Sequence, residues 1–336
     1  MHTVKKKVAI LFSHAAYDDL YPLQRAETIA RAIQDDVELL FLVPDELSEK
    51  FNAFPKQIAN NEAQRFKMLS LFKPHLLLRE SDTSTKEELA KLKSFIPTIM
   101  HFDDFGEGAQ LADIVFQTLY TDIPPLLPTH YLVGAESFVA YPMLKNYQQQ
   151  RNLHEIRQTL QLVVFISCQD QNNLTYRVLR HLKQLQIPLK VTILVHPDYA
   201  HDVIDLRMMA LSRGHTTVLQ VDDPLPKLAE ADMIICSARY TPYTVSMLGI
   251  PCIVLAENEA EMAFQFPNED NGFLHLGLGR KVKQSMLLNA VMELVLHEHL
   301  REQAIKKQLA QGLDEGHDKV LETIRYYLEY PKRPVR

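Results

Sequence analysis

Glycine is scarce in this sequence, 10 residues in 336, and neither G-x-G-x-x-G nor a Walker-type loop occurs. A dinucleotide cradled on glycine-rich backbone is therefore not expected, because such loops bring bare amides close to phosphate. Cysteine is rarer still: Cys168, Cys236 and Cys252 each lie in or beside an apolar run and lack metal-ligand spacing. They read as small core residues of a reduced protein. H-E-x-x-H, C-x-x-C and G-x-S-x-G are also missing. His297 and His299 stand two apart on an expected helix and so face different sides, which argues against a metal pair. No apolar run approaches the roughly 18 residues of a membrane span. The N-terminal stretch runs through three lysines straight into a short strand, without the apolar region of a signal peptide. The net charge of -6 includes no basic block, so a nucleic-acid surface is not expected. These absences imply a cytoplasmic protein without membrane or nucleic-acid partners, and with no cofactor or metal.

What is present is alternation. Apolar residues make up 46% and charged residues 23%, ordinary for a globular protein. The length suits two domains of about 150 residues each. Strands are expected at Val8–Phe12, Val37–Val43, Leu76–Leu78, Thr98–Phe102 and Ile114–Phe116. In the second half they are expected at Leu162–Ile166, Lys190–Val195, Thr216–Val221, Met233–Cys236 and Cys252–Ala256. Helical stretches separate them, the pattern of a parallel doubly wound sheet. The most informative segment is Ala229–Asn258: strand, hydroxyl-bearing turn, short helix, then Gly249-Ile-Pro251 and a second strand. It is a βαβ unit, whose strand-end loops are where open α/β sheets bind ligands.

The fold class expected is α/β: two Rossmann-like doubly wound domains facing a central cleft, as in the GT-B architecture. Residues 1–145 form the first domain and 160–315 the second, nucleotide-binding one. A polar, Gln-rich linker spans 146–159, and a C-terminal helix with a basic tail covers 316–336.

Motif order over most of the chain resembles the bacterial UDP-sugar hydrolases of pseudaminic acid biosynthesis and the similar spore-coat polysaccharide biosynthesis proteins. The resemblance rests on His101-Phe-Asp103-Asp104 before Ala112-Asp113, and on Leu132-Val-Gly134-Ala-Glu-Ser-Phe138. Asp170-Gln-Asn172-Asn173-Leu174-Thr175, Ala229-Glu-Ala-Asp232, Leu248-Gly249-Ile-Pro251 and Glu257-Asn258-Glu259 follow in the family's order. It implies a GT-B fold, a UDP-sugar ligand, and a setting in surface-glycan synthesis with other enzymes of that pathway as partners. Similar proteins carry G-x-G-H-x-x-R after the first strand, the His helping to activate water. Here that stretch keeps Arg25 but has Pro22 in place of the His. A family Glu resembling a ribose ligand is Thr244, and the Arg and Glu of another motif are Tyr141 and Met143.

Cleaving a sugar–UDP bond needs a base for water and stabilisation of the leaving diphosphate. Ser237, Arg239, Tyr240 and Thr241 lie between a strand and its helix, where phosphate donors converge. Thr241-Pro242 equally reads as a helix N-cap followed by proline. Glu257 and Asn258 end the next strand and are candidates for sugar or ribose hydroxyls, or face solvent as a polar strand end. Asp170 and Asn173 are candidate ligands at another strand end, or turn and cap residues. Candidate bases are His14, Asp18, Asp19 and Asp104, and Arg25 is a candidate anion ligand. Two functions remain open: an enzyme hydrolysing or transferring from a UDP-sugar, and a non-catalytic descendant that binds a sugar nucleotide or scaffolds a pathway enzyme.

Overall fold

The computed structural model describes residues 5–12, 19–50, 54–81, 83–121, 130–151, 159–211 and 214–330. His14, Asp18, most of the proline-rich stretch and the basic tail lie outside the described residues. The chain divides into two compact units, one holding the residues up to Tyr141 together with those from Leu313 onward, the other Pro142–Gly312.

The first unit is a seven-stranded sheet of β1 (Lys6–Phe12), β2 (Val37–Val43), β3 (Lys56–Ile58), β4 (Leu76–Glu80), β5 (Thr98–Phe102), β6 (Ile114–Gln117) and β7 (His130–Val133). The order is β3-β2-β1-β4-β5-β6-β7 and every pairing is parallel. Helices α1 (Tyr21–Ile33), α2 (Asp45–Ser48), α3 (Glu62–Phe72) and α4 (Lys86–Lys93) connect strands. The central strands are apolar on both faces, as a doubly covered parallel sheet requires. Val8, Ile10 and Phe12 enter one core cluster while Ala9 and Leu11 enter another. In α1 the buried residues Leu23, Ala26, Ile29, Ala30 and Ile33 recur at three and four, the spacing of a single helical stripe.

The second unit has β8 (Leu160–Phe165), β9 (Leu189–Val195), β10 (Thr216–Gln220), β11 (Met233–Cys236), β12 (Cys252–Ala256) and β13 (Phe273–Leu278). They run in the order β10-β9-β8-β11-β12-β13, again all parallel. Its helices are α5 (Pro142–Arg151), α6 (Leu174–Leu182), α7 (Val203–Leu211), α8 (Leu225–Ala229), α9 (Thr241–Leu248), α10 (Gln284–Leu296) and α11 (Glu298–Leu309). The polar stretch expected as linker begins inside α5, which is docked rather than loose. Arg151 donates to the carbonyls of Leu248 (3.1 Å), Ala229 (2.7 Å) and Ala231 (2.6 Å), satisfying helix C-terminal acceptors. All eight residues of α9 are buried, and Gly249 ends it at φ 62°, the left-handed conformation glycine tolerates.

The last helix, α12 (Leu313–Glu329), returns to the first unit. Its Val320, Leu321, Ile324 and Leu328 join the core of β1, β2 and α1. Gly316 sits against that unit so closely that a Cβ would lie 2.1 Å from the Ala135 carbonyl oxygen and 2.8 Å from that of Phe138. Both obstacles are backbone, so nothing yields cheaply. Gly316→Ala is expected to cost about 1–3 kcal/mol through overpacking and to lower the thermal midpoint. Gly214→Ala, where a Cβ meets nothing within 4 Å, serves as the control and should leave that midpoint unchanged.

Candidate functional site

In open α/β sheets ligands bind outside the carboxyl ends of strands, where the strand order reverses. In the first unit that point lies between β1 and β4. Beside it, α1 is tied to the ends of β4 and β5. Arg25 of α1 donates from Nε and Nη2 to both oxygens of Glu80 (2.9 and 2.6 Å), and from Nη1 to Asp103 (2.8 Å). Its guanidinium also packs against the rings of Phe102 (4.5 Å) and Tyr21 (5.0 Å), a stacking that suits arginine. Tyr21 in turn stacks on Phe138 and accepts from the Val139 amide. Burial pushes its phenol pKa upward. Asp103 holds φ 52° and accepts the Leu119 amide at 2.8 Å.

Arg25 was expected as an anion ligand; here it is an internal partner with 0% exposure. Asp104, expected as a base, is likewise engaged. It accepts from Ser84, His101 and the Gly106 amide, and is 2% exposed. Asp19 accepts the Tyr21 amide at 3.0 Å, a turn contact at the start of α1. Of the four candidate bases, His14 and Asp18 fall outside the described residues.

In the second unit the reversal lies between β8 and β11, and there the candidates gather. The Ser237 amide donates to Ile166 (3.2 Å), continuing the ladder between these two strands. Its hydroxyl oxygen is buried with no partner among the described residues, a state that calls for an explanation in a native fold. Arg239 follows, half-buried, its guanidinium 5.5 Å from the Tyr240 ring. Tyr240, not Thr241, is the N-cap of α9. Thr241 is the first helical residue, and the Tyr240 side chain makes no cap hydrogen bond. The cap expected at Thr241 thus lies one residue earlier, which places Pro242 at the second helical position, within the first turn where proline is tolerated.

Asp170 caps instead of reaching outward. Its two carboxylate oxygens accept the amides of Leu174 and Thr175, each at 2.7 Å, and it is fully buried. Burial raises its pKa against the pull of those donors. Asn173 accepts the Tyr199 hydroxyl at 2.7 Å. Glu257 is buried at the end of β12 and its carbonyl accepts from Asn172. Asn258 is exposed and accepts the Glu261 amide at 3.0 Å. Glu261 is the residue sequence reasoning missed. It is 2% exposed, and its Oε2 accepts the Glu257 amide (2.9 Å) and the Ala238 amide (3.4 Å), bridging the ends of β11 and β12. Among the described residues no group of three or more His, Cys, Asp or Glu is placed to hold a metal ion, and no helix is long and apolar enough to cross a membrane.

Solved structures share this architecture over nearly their whole length. MurG of Acinetobacter baumannii superposes with a TM-score of 0.64 at 13% identity, over 96% of this chain and 99% of its own. The UDP complex of S. aureus MnaA gives 0.64 at 14%, over 98% and 100%. The calicheamicin glycosyltransferase CalG4 gives 0.64 at 10%, over 97% and 99%. The chain therefore has the GT-B fold, and identities this low establish the fold alone. No protein-family model and no curated protein sequence matches it.

Two outcomes test the buried charges of the first unit. Arg25→Met should cost about 3–5 kcal/mol in chemical denaturation, because Glu80 and Asp103 would remain buried without their cation. His101 is wholly buried, and burial holds its pKa below the ordinary value against the pull of Asp104. Burial works to raise Asp104, but donors from His101, Ser84 and Gly106 outweigh it and keep that carboxyl low. A depressed folded pKa means stability complete above the unfolded value and lost as pH falls. Unfolding free energy should thus decline below about pH 6.5, the unfolded value for histidine. His101→Gln should flatten the slope between pH 7 and 5, leaving the carboxylate-driven loss at lower pH.

Proposed function

We propose that this chain binds a UDP-sugar or a related sugar nucleotide through its second unit. The observation that carries the reading is the buried Ser237 hydroxyl at the β8/β11 reversal, without a hydrogen-bond partner among the described residues, beside the start of α9 and the cation Arg239. Backbone N–H groups at a helix start, a hydroxyl and a guanidinium are the donors a diphosphate takes. The GT-B likeness supports it, since one neighbour was solved with UDP bound. The finer assignment is to bacterial surface-glycan synthesis, of the pseudaminic acid or spore-coat type. It rests on the ordered motifs from His101 to Glu259.

Hydrolysis of the sugar–UDP bond requires a base, for which the candidates are His14, Asp18, Asp19 and Asp104, the last two already accepting hydrogen bonds in turn and core contacts. A second reading is favoured by the closure of Arg25 and Asp104 into internal networks: a descendant that binds the sugar nucleotide without turning it over. Calorimetric titration and thermal unfolding with UDP-, CDP- and GDP-sugars separate these cases. UDP ligands should raise the midpoint, by the equivalent of about 2.7 kcal/mol at a hundredfold excess over Kd. Arg239→Ala should weaken UDP about tenfold and leave uridine unchanged. No shift with any nucleotide would refute the binding reading. Release of free UDP from a bound UDP-sugar, lost in His14→Ala or Asp18→Ala, would decide for the enzyme; binding without release decides for the second reading.

A further inference from the structure

The sheet of the second unit ends in two edge strands, β10 and β13, and they are finished differently. At β13 amides outside the ladder are taken up locally: that of Phe273 donates to the Asn268 carbonyl (2.9 Å) and that of Gly277 to His275 Nδ1 (3.0 Å). At β10 the ladder fixes which groups are left over. The Val191 amide donates to the His215 carbonyl and the Val221 amide to that of Val195, each at 2.9 Å. With Thr216 level with Val191, residues 215, 217, 219 and 221 turn their backbone groups toward β9. Those of Thr216, Val218 and Gln220 point to the open side, where no hydrogen-bond partner stands among the described residues. Native edges are guarded by charge, proline, bulges or a covering element. Thr216-Thr-Val-Leu-Gln220 has no charged residue and no proline, and its register with β9 is unbroken. Helix α7 packs on β10 and is apolar on both faces. Its Leu206 and Ala210 are buried, while Ile204, Met208 and Leu211, spaced as one helical stripe, are 61%, 63% and 80% exposed. An open strand edge and an exposed apolar stripe thus adjoin each other, the mark of an interaction surface.

We propose that β10 pairs with β10 of a second copy of this chain, antiparallel about a twofold axis through Val218. Such a pairing is self-complementary. It sets Val218 opposite its counterpart and Thr216 opposite Gln220, so the outward groups of all three meet as hydrogen-bonded pairs. Exposed His215 precedes the strand and exposed Asp222 follows it. Running the two strands in opposite directions brings His215 of each copy beside Asp222 of the other, a donor to a carboxylate at both ends. The same axis stands perpendicular to the joined sheet and keeps both α7 helices on one face, where their stripes shield the junction from water. This holds whether or not the second unit binds a nucleotide.

The test is sedimentation velocity of the full-length protein from about 1 to about 200 μM. One strand and one helix make a small interface, so the dimer should dissociate with a constant of about 10 μM. Val218→Pro removes an outward N–H and spares the ladder to β9, a place where an edge strand accepts proline, and should weaken the dimer about tenfold or more. Met208→Glu alters an exposed side chain and should do the same, so a proline variant that fails to fold leaves a decisive measurement. Hydrogen exchange locates the contact. The amides of Thr216, Val218 and Gln220 should slow about threefold or more at the high concentration, and those of Thr217 and Leu219 should not change. A monomer throughout the range would overturn the proposal. So would a dimer that withstands both substitutions, or one that leaves the outward amides unslowed.

Discussion

The Arg25 guanidinium is the interaction on which the first unit depends. Three strand ends, those of β4, β5 and β6, converge on the same point, and Glu80, Asp103 and Thr118 all direct oxygens at one cation. Each charge alone would be costly in that interior, so the group is held together by mutual need rather than by net gain. The aromatic rings of Tyr21 and Phe102 complete the enclosure. At the carboxyl ends of these strands the guanidinium is met by the protein's own oxygens.

The second unit solves the same strand-end problem differently. At its strand ends carboxylates cap amides. Asp170 seats the start of α6 and Glu261 ties β11 to β12. The two units thus share a topology while their carboxyl edges differ in polarity. One turns its carboxylates onto its own arginine. The other presents acceptors, a buried hydroxyl with no partner among the described residues, and a half-buried arginine.

Much of the fold was legible because burial on both faces forces long apolar runs. Val37–Val43, Thr98–Phe102, Met233–Cys236 and Cys252–Ala256 are strands with the bounds expected. β13 was not, since Phe-Leu-His-Leu-Gly-Leu mixes a histidine and a positive-φ glycine into a half-exposed edge. α5 was hidden because a helix that buries little beyond Leu144 has no apolar stripe to read. The site was harder. Strand-end polar residues are visible in sequence, but whether Asp170 faces a ligand or its own helix depends on backbone geometry. Arg25 and Glu261 are ordinary surface residue types; nothing local marks them as buried. Glu80 lies 55 residues from Arg25 and Ala238 lies 23 from Glu261, and only the assembled sheet brings these pairs together.

The return of α12 to the first unit makes the order of synthesis matter. The second unit is one uninterrupted stretch of chain, ending at Gly312. The first is split, its residues up to Tyr141 separated from α12 by the whole of its neighbour. On the ribosome, the surface that receives Val320, Ile324 and Leu328 is made before the second unit and covered only after it. During the roughly 10–30 seconds that the intervening residues take to emerge at about 5–20 residues per second, that apolar seat is open to chaperones and to other nascent chains. The helix that completes the first unit is therefore made after the whole of the second.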